Sequence, residues 1–289
     1  MNQSHYETNI AIHWVFLLSI LLNTTFVLVE TYYGLEANSL SLIADAVHNL
    51  SDVAALVIAW LGYQATHWAA TTSKTFGWQR LSIMAALINS SVLLIGMIWM
   101  AVMAVDRLLN PETIAAETVI WVASLGIIIN GISAYLLERN SHNDLNMQGA
   151  FLHMLTDTFV SVGVVVSALI MYYIGWWWID GTTSLIIALI IALGSFTLFK
   201  QSWHLCLDGV PEHISLPEVQ KQIQDLEEVV DISRAHLWAL GTRTNAFTAH
   251  VLCKTDCDRD QLLDNIKQIL SNQFGLSHTT IELKAVDSA

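Results

Sequence analysis

Six long apolar runs dominate the chain, near residues 10–32, 38–64, 80–106, 116–138, 148–174 and 180–200. Each is long enough to cross a bilayer, which takes about 20 helical residues. After residue 205 the pattern changes, and Pro211 and Pro217 punctuate a polar stretch that marks a domain boundary. Residues 216–226 have helical periodicity, and 229–240 and 247–254 read as strands. Residues 258–274 form an amphipathic helix opened by acidic side chains, and 279–286 a last strand. The predicted fold class is a membrane all-α six-helix bundle over residues 1–205, followed by a small cytoplasmic α+β domain of order αββαβ over 206–289.

Composition strengthens this reading. Hydrophobic residues make up 54% of the 289 and charged ones only 13%, against about 25% charged in a soluble domain. Mean hydropathy is +0.51. The net charge of −13 argues against a nucleic-acid partner. The polar start, Met1 to Thr8, lacks a basic n-region, so no cleavable signal is expected. Cys206, Cys253 and Cys257 all follow the apolar runs, and an odd count there predicts reduced thiols.

Basic residues orient the runs. Lys74, Arg80, Arg139 and Lys200 lie on one side and only Arg107 on the other. The positive-inside rule then puts both termini in the cytoplasm. Trp176, Trp177 and Trp178, with Tyr172 and Tyr173, fall at the outer turn between runs five and six, where an aromatic belt is expected.

The chemistry lies in a doubled motif. His48-Asn-Leu-Ser-Asp52 sits in the second run and His153-Met-Leu-Thr-Asp157 in the fifth. An imidazole and a carboxylate four residues apart share one helix face. Ionisable groups at membrane depth are costly, so they pair, line a cavity or bind an ion. Two helices each offering one His and one Asp supply four ligands of the types that suit Zn²⁺. The bland competitor is two separate helix–helix hydrogen bonds.

Other polar groups are less specific. Asp45 lies within about 60° of His48 and Asp52 on the helix face. It is either a waiting site or proton acceptor on the exit path, or a carboxylate solvated in a vestibule. Glu30 reads as a wetted boundary residue. Asn23, Asn89 and Asn130 read as interhelical hydrogen-bonding groups, and His13 and His67 as interfacial. His236 and His250 lie on two candidate strands and Glu282 on a third, so a cytoplasmic metal site could form across them. Cys253 and Cys257 lack Cys-x-x-Cys spacing. Metalloprotease, P-loop and nucleophile-elbow motifs are absent, so neither an enzyme nor an ATP-driven pump is expected.

These motifs in their contexts resemble the cation diffusion facilitator family, in its zinc-transporting, ZnT-like branch. The resemblance runs nearly end to end, through SLSLIADAVHNLSD at 39–52, TFGWQR at 75–80, AALIN at 85–89, RLLNP at 107–111, GAFLHMLTD at 149–157 and GVPEH at 209–213. It implies six membrane helices, a ferredoxin-like cytoplasmic domain, a homodimer in lipid, and export of Zn²⁺ from the cytoplasm in exchange for H⁺. A bacterial inner membrane is the expected location. His48, Asp52, His153 and Asp157 match the family's membrane ligands. Histidine at the first of these positions implies preference for zinc over cadmium. Lys74 and Trp78 stand where some members place histidines of a further site, so that site is expected to be absent. Leu81-Ser82 replaces the frequent Ala-Glu after Arg80. His236 and His250 match cytoplasmic ligands, but Lys284 stands where an acid is usual. Either Glu282 substitutes or that site is weakened.

The mechanism expected is alternating access, with protons competing for imidazole and carboxylate. Imidazole titrates near about 6.5, within reach of physiological pH. Two alternatives remain: efflux of Cd²⁺, Co²⁺, Fe²⁺ or Mn²⁺, or a membrane-bound metal sensor without transport.

Overall fold

The computed structural model describes residues 3–65, 70–141, 145–242 and 244–286, with side chains described outside 1–19, 55–56, 58–69, 133–134 and 136–154. Six long helices come first: α1 (Gln3–Glu36), α2 (Leu40–Ala65), α3 (Leu81–Leu109), α4 (Ala116–Ser141), α5 (Leu145–Ile174) and α6 (Trp178–Cys206). They are followed by α7 (Leu216–Gln224), β1 (Val229–Ala239), β2 (Asn245–Cys253), α8 (Arg259–Phe274) and β3 (His278–Ala285). Among the described residues, three stretches are long and apolar enough to cross a membrane: Leu81–Leu109, Leu155–Ile174 and Trp178–Cys206.

The chain divides into two compact units, one of residues 1–57 and 89–197, the other of 58–88 and 198–289. In the first, α3 shows the membrane pattern plainly. Leu93, Met97, Met100 and Ala104 are buried, while Val92, Ile95, Trp99 and Val102 on the other face are exposed although equally apolar. A helix apolar on both faces needs lipid on one of them. Small buried side chains (Ala44, Ala123, Ala168, Ala188) allow close helix approach. At Gly126 a Cβ would lie 3.1 Å from the Phe26 ring and 3.3 Å from Ser161 Oγ, so glycine leaves that serine its place.

The turn from α1 to α2 is closely specified. Asn38 adopts the left-handed conformation, φ 54°. The Ser39 N–H then reaches Gly34 O at 3.0 Å and the Asn38 N–H reaches Leu35 O at 3.2 Å, which satisfies the last carbonyls of α1. Arg107, buried at the end of α3, donates to Asn38 O and Asn38 Oδ1, both at 3.0 Å.

In the second unit the sheet order is β1-β2-β3. β1 and β2 are antiparallel. β2 and β3 are parallel, joined through α8, as a parallel pair requires a crossover. Val219 and Ile223 of α7 and Leu262, Ile266 and Leu270 of α8 pack with Phe247, Ala249 and Val251 of β2. Asp258 caps α8, its Oδ1 accepting from the Asp260 and Gln261 N–H groups at 3.1 and 3.2 Å. Gly275, φ 65°, closes that helix.

Candidate metal centre

His48 and Asp52 are brought to one face of α2 by their four-residue spacing, and Asp157 faces them from α5. His48 Nε2 lies 2.9 Å from Asp157 Oδ1 and 3.8 Å from Asp52 Oδ2. One ligand atom from each of the three residues falls within 4.8 Å of the others, and among the described residues this is where three or more metal-ligating groups converge. Asp157 is buried, while His48 and Asp52 are half-buried. His153 stands one turn before Asp157 on α5. Its side chain lies outside the described residues, as do those of His13, His67, Arg139 and His142.

The contact between His48 and Asp157 has a chemical consequence. A hydrogen bond from imidazole nitrogen to carboxyl oxygen holds one proton between two atoms that are both metal ligands when deprotonated. A cation taking these lone pairs displaces that proton.

Next along α2, Asp45 is buried and accepts from Ser161 Oγ of α5 through Oδ2 at 3.1 Å. Glu30 corrects the sequence reading: it is fully buried, and its Oε2 accepts from Asn49 Nδ2 at 2.8 Å. Its position near the end of a long apolar run suggested a boundary, but the α1–α2 turn folds it back against α2. Asn89 Nδ2 donates to Ser51 Oγ at 3.1 Å, joining α3 to α2 as an interhelical bond.

Asp180 was not singled out by the sequence. It sits in the first turn of α6, fully buried, and caps a different helix. Its Oδ2 accepts from the Leu40 N–H at 2.8 Å. Its Oδ1 accepts from Ser41 N–H at 3.2 Å, Ser39 Oγ at 2.8 Å and Ser41 Oγ at 2.6 Å. The positive N-terminal end of α2, the helix bearing His48 and Asp52, is thus held by a carboxylate from α6. The only signal in the sequence was an acid following the tryptophan cluster.

The cytoplasmic candidates separate. His250 pairs directly with Glu282 across β2 and β3, with Nε2 and Oε2 3.3 Å apart. His236 pairs instead with Thr248, after a bulge that sets three steps on β1 against two on β2, and Arg234 within it has φ 47°. The bulge inserts one extra residue, and among the described residues no three-ligand group forms here. Lys284 Nζ lies 2.8 Å from Glu282 Oε1. That ammonium, with His250 and Arg234 adding to it, holds the Glu282 carboxyl below the usual range. Lys74 Nζ sits 3.3 Å over the Trp78 ring, a cation–π contact. Ser82 Oγ accepts from the Thr242 N–H at 3.1 Å.

The description "Cation efflux transmembrane domain" fits residues 16–205, and "Cation efflux protein, cytoplasmic domain" fits 211–285. The chain belongs to the cation efflux family. It is an integral membrane protein with a C-terminal domain of strands and helices. Its relatives include the metal cation efflux system protein CzcD of Cupriavidus metallidurans, 34% identical over 268 residues, covering 92% of this chain and 85% of that one. The zinc transporter ZitB of Escherichia coli is 33% identical over 261 residues, covering 90% and 83%. The cadmium, cobalt and zinc/H(+)-K(+) antiporter of Bacillus subtilis is 29% identical over 275 residues, covering 93% and 88%.

Proposed function

We propose that this chain exports Zn²⁺ from the cytoplasm in exchange for protons, through a tetrahedral site of His48, Asp52, His153 and Asp157. The observation that carries the reading is the convergence of His48, Asp52 and Asp157 from two helices, with ligand atoms within 4.8 Å. Two imidazoles and two carboxylates suit zinc, and a four-coordinate shell needs all four side chains. When the His48 imidazole carries protons on both nitrogens, a cation taking Nε2 releases one of them, so metal and proton compete for the site. Alternating access follows if the two ligand-bearing helices move together and open the site to one side at a time.

In this reading all six long helices span the bilayer, both termini are cytoplasmic, and residues 1–205 carry the transport pathway. Residues 206–289 form the cytoplasmic domain of a homodimer in a bacterial inner membrane. The chain is a carrier without enzymatic activity. A second reading, efflux of a wider set of divalent cations, is favoured by the cadmium and cobalt in the name of the Bacillus subtilis relative.

The test is flux into proteoliposomes under an imposed pH gradient, with Zn²⁺, Cd²⁺ and Co²⁺ compared. Zinc should accumulate in the wild type and fall at least about a hundredfold in Asp157→Ala. Equal flux of the three metals supports the wider reading. Zinc binding with no flux in either protein supports a sensor.

A further inference from the structure

Two carboxyl groups in the first unit are outside the proposed metal shell and are more deeply buried than His48 or Asp52. Glu30 on α1 is fully buried and Asp45 on α2 is 1% exposed. Each has one oxygen satisfied, Glu30 Oε2 by Asn49 Nδ2 at 2.8 Å and Asp45 Oδ2 by Ser161 Oγ at 3.1 Å. The other oxygens, Glu30 Oε1 and Asp45 Oδ1, are buried and accept from no donor among the described residues. Asn49, which holds Glu30, stands one turn beyond Asp45 on the same face of α2, and this puts the two carboxyl groups side by side.

Ionised carboxylates are acceptors only, so two buried side by side repel unless a proton or cation lies between them. Zinc needs about four ligand atoms, and only two oxygens are left. One proton needs two. We propose that Glu30 and Asp45 hold a single shared proton and form a proton site of the carrier, distinct from the metal site. This rests on the antiport reading. The groups that act on the pair are Asn49 and His48 from α2, and Ser161 and Asp157 from α5. Two of these belong to the proposed metal shell, so a cation bound there disfavours a proton on the pair. The proton leaves the carboxyl O–H for water as the metal binds, and no bond other than O–H changes.

The test uses the full chain, with Glu30→Gln as the main variant. The glutamine amide can accept from Asn49 and donate to Asp45 Oδ1, taking the proton's place without ionising. The probes are Zn²⁺ and the pH gradient. Glu30→Gln should bind zinc within about threefold of wild type and retain zinc-for-zinc exchange. Its gradient-driven accumulation should fall at least about tenfold, within the range of coupling between linked sites. Glu30→Asp should recover part of that accumulation. Infrared spectra of the metal-free wild type at neutral pH should show the carbonyl stretch of a protonated carboxylic acid, missing in Glu30→Gln. Unchanged accumulation in Glu30→Gln, or no such band in wild type, overturns the proposal. Zinc binding lost together with flux overturns it in favour of a metal station. If wild type shows no gradient-driven flux, the antiport reading fails, and the infrared band still decides whether the pair holds a proton.

Discussion

Lys284 illustrates how one side chain alters a site that its neighbours outline. Its ammonium lies 2.8 Å from Glu282 Oε1, on the strand facing His250. Glu282 keeps a depressed pKa because the cation beside it favours the carboxylate. The sign follows: the stabilisation is present at neutral pH and disappears as pH falls through the folded-state value. Lys284→Met should therefore lower the melting temperature slightly at neutral pH and leave it unchanged in acid. A difference that grows in acid would contradict the assignment. The same scale shows what sequence can and cannot disclose. The shared helix face of His48 and Asp52 was legible because four-residue spacing fixes it. Glu30 was not, since its burial depends on how α1 folds against α2, a tertiary fact. Lys284 and Glu282 were legible as neighbours two residues apart on one strand face, but the pairing of Glu282 with His250 required the strand register.

At the scale of elements, the order αββαβ and the long helices were readable from periodicity. α8 is one case: its acidic opening became the Asp258 cap and its end falls at Gly275. The bulge in β1 was not readable, and it displaces His236 from the pair formed by His250 and Glu282. Nor was the cap of α2, because the capping acid lies about 140 residues away, and local rules find only caps near in sequence. Asp180 receives four hydrogen bonds from the start of α2. Asp180→Ala should cost about 2–4 kcal/mol, combining a lost cap with buried hydroxyls left without an acceptor. Thermal unfolding in detergent reads this directly, and Asp180→Asn should lose less. An unchanged melting temperature in Asp180→Ala would mean that the cap does not fasten α2.

At the scale of the whole molecule, an apolar helical domain and a charged α+β domain share one chain, and the cytoplasmic-domain match supports assembly in pairs. Light scattering in detergent, corrected for bound detergent, should give twice the 32.1 kDa chain mass. A monomer at every concentration would oppose it. In the proposed reading, transport, coupling and selectivity all depend on the metal shell of His48, Asp52, His153 and Asp157. The direct measurement is X-ray absorption at the zinc edge on the full chain loaded with one equivalent of Zn²⁺. The account predicts four nitrogen or oxygen neighbours at about 2.0–2.1 Å, two of them imidazole, and no sulfur. It also predicts that Asp157→Ala loses this signal. A sulfur shell, or an unchanged spectrum in Asp157→Ala, would place the zinc elsewhere and contradict it.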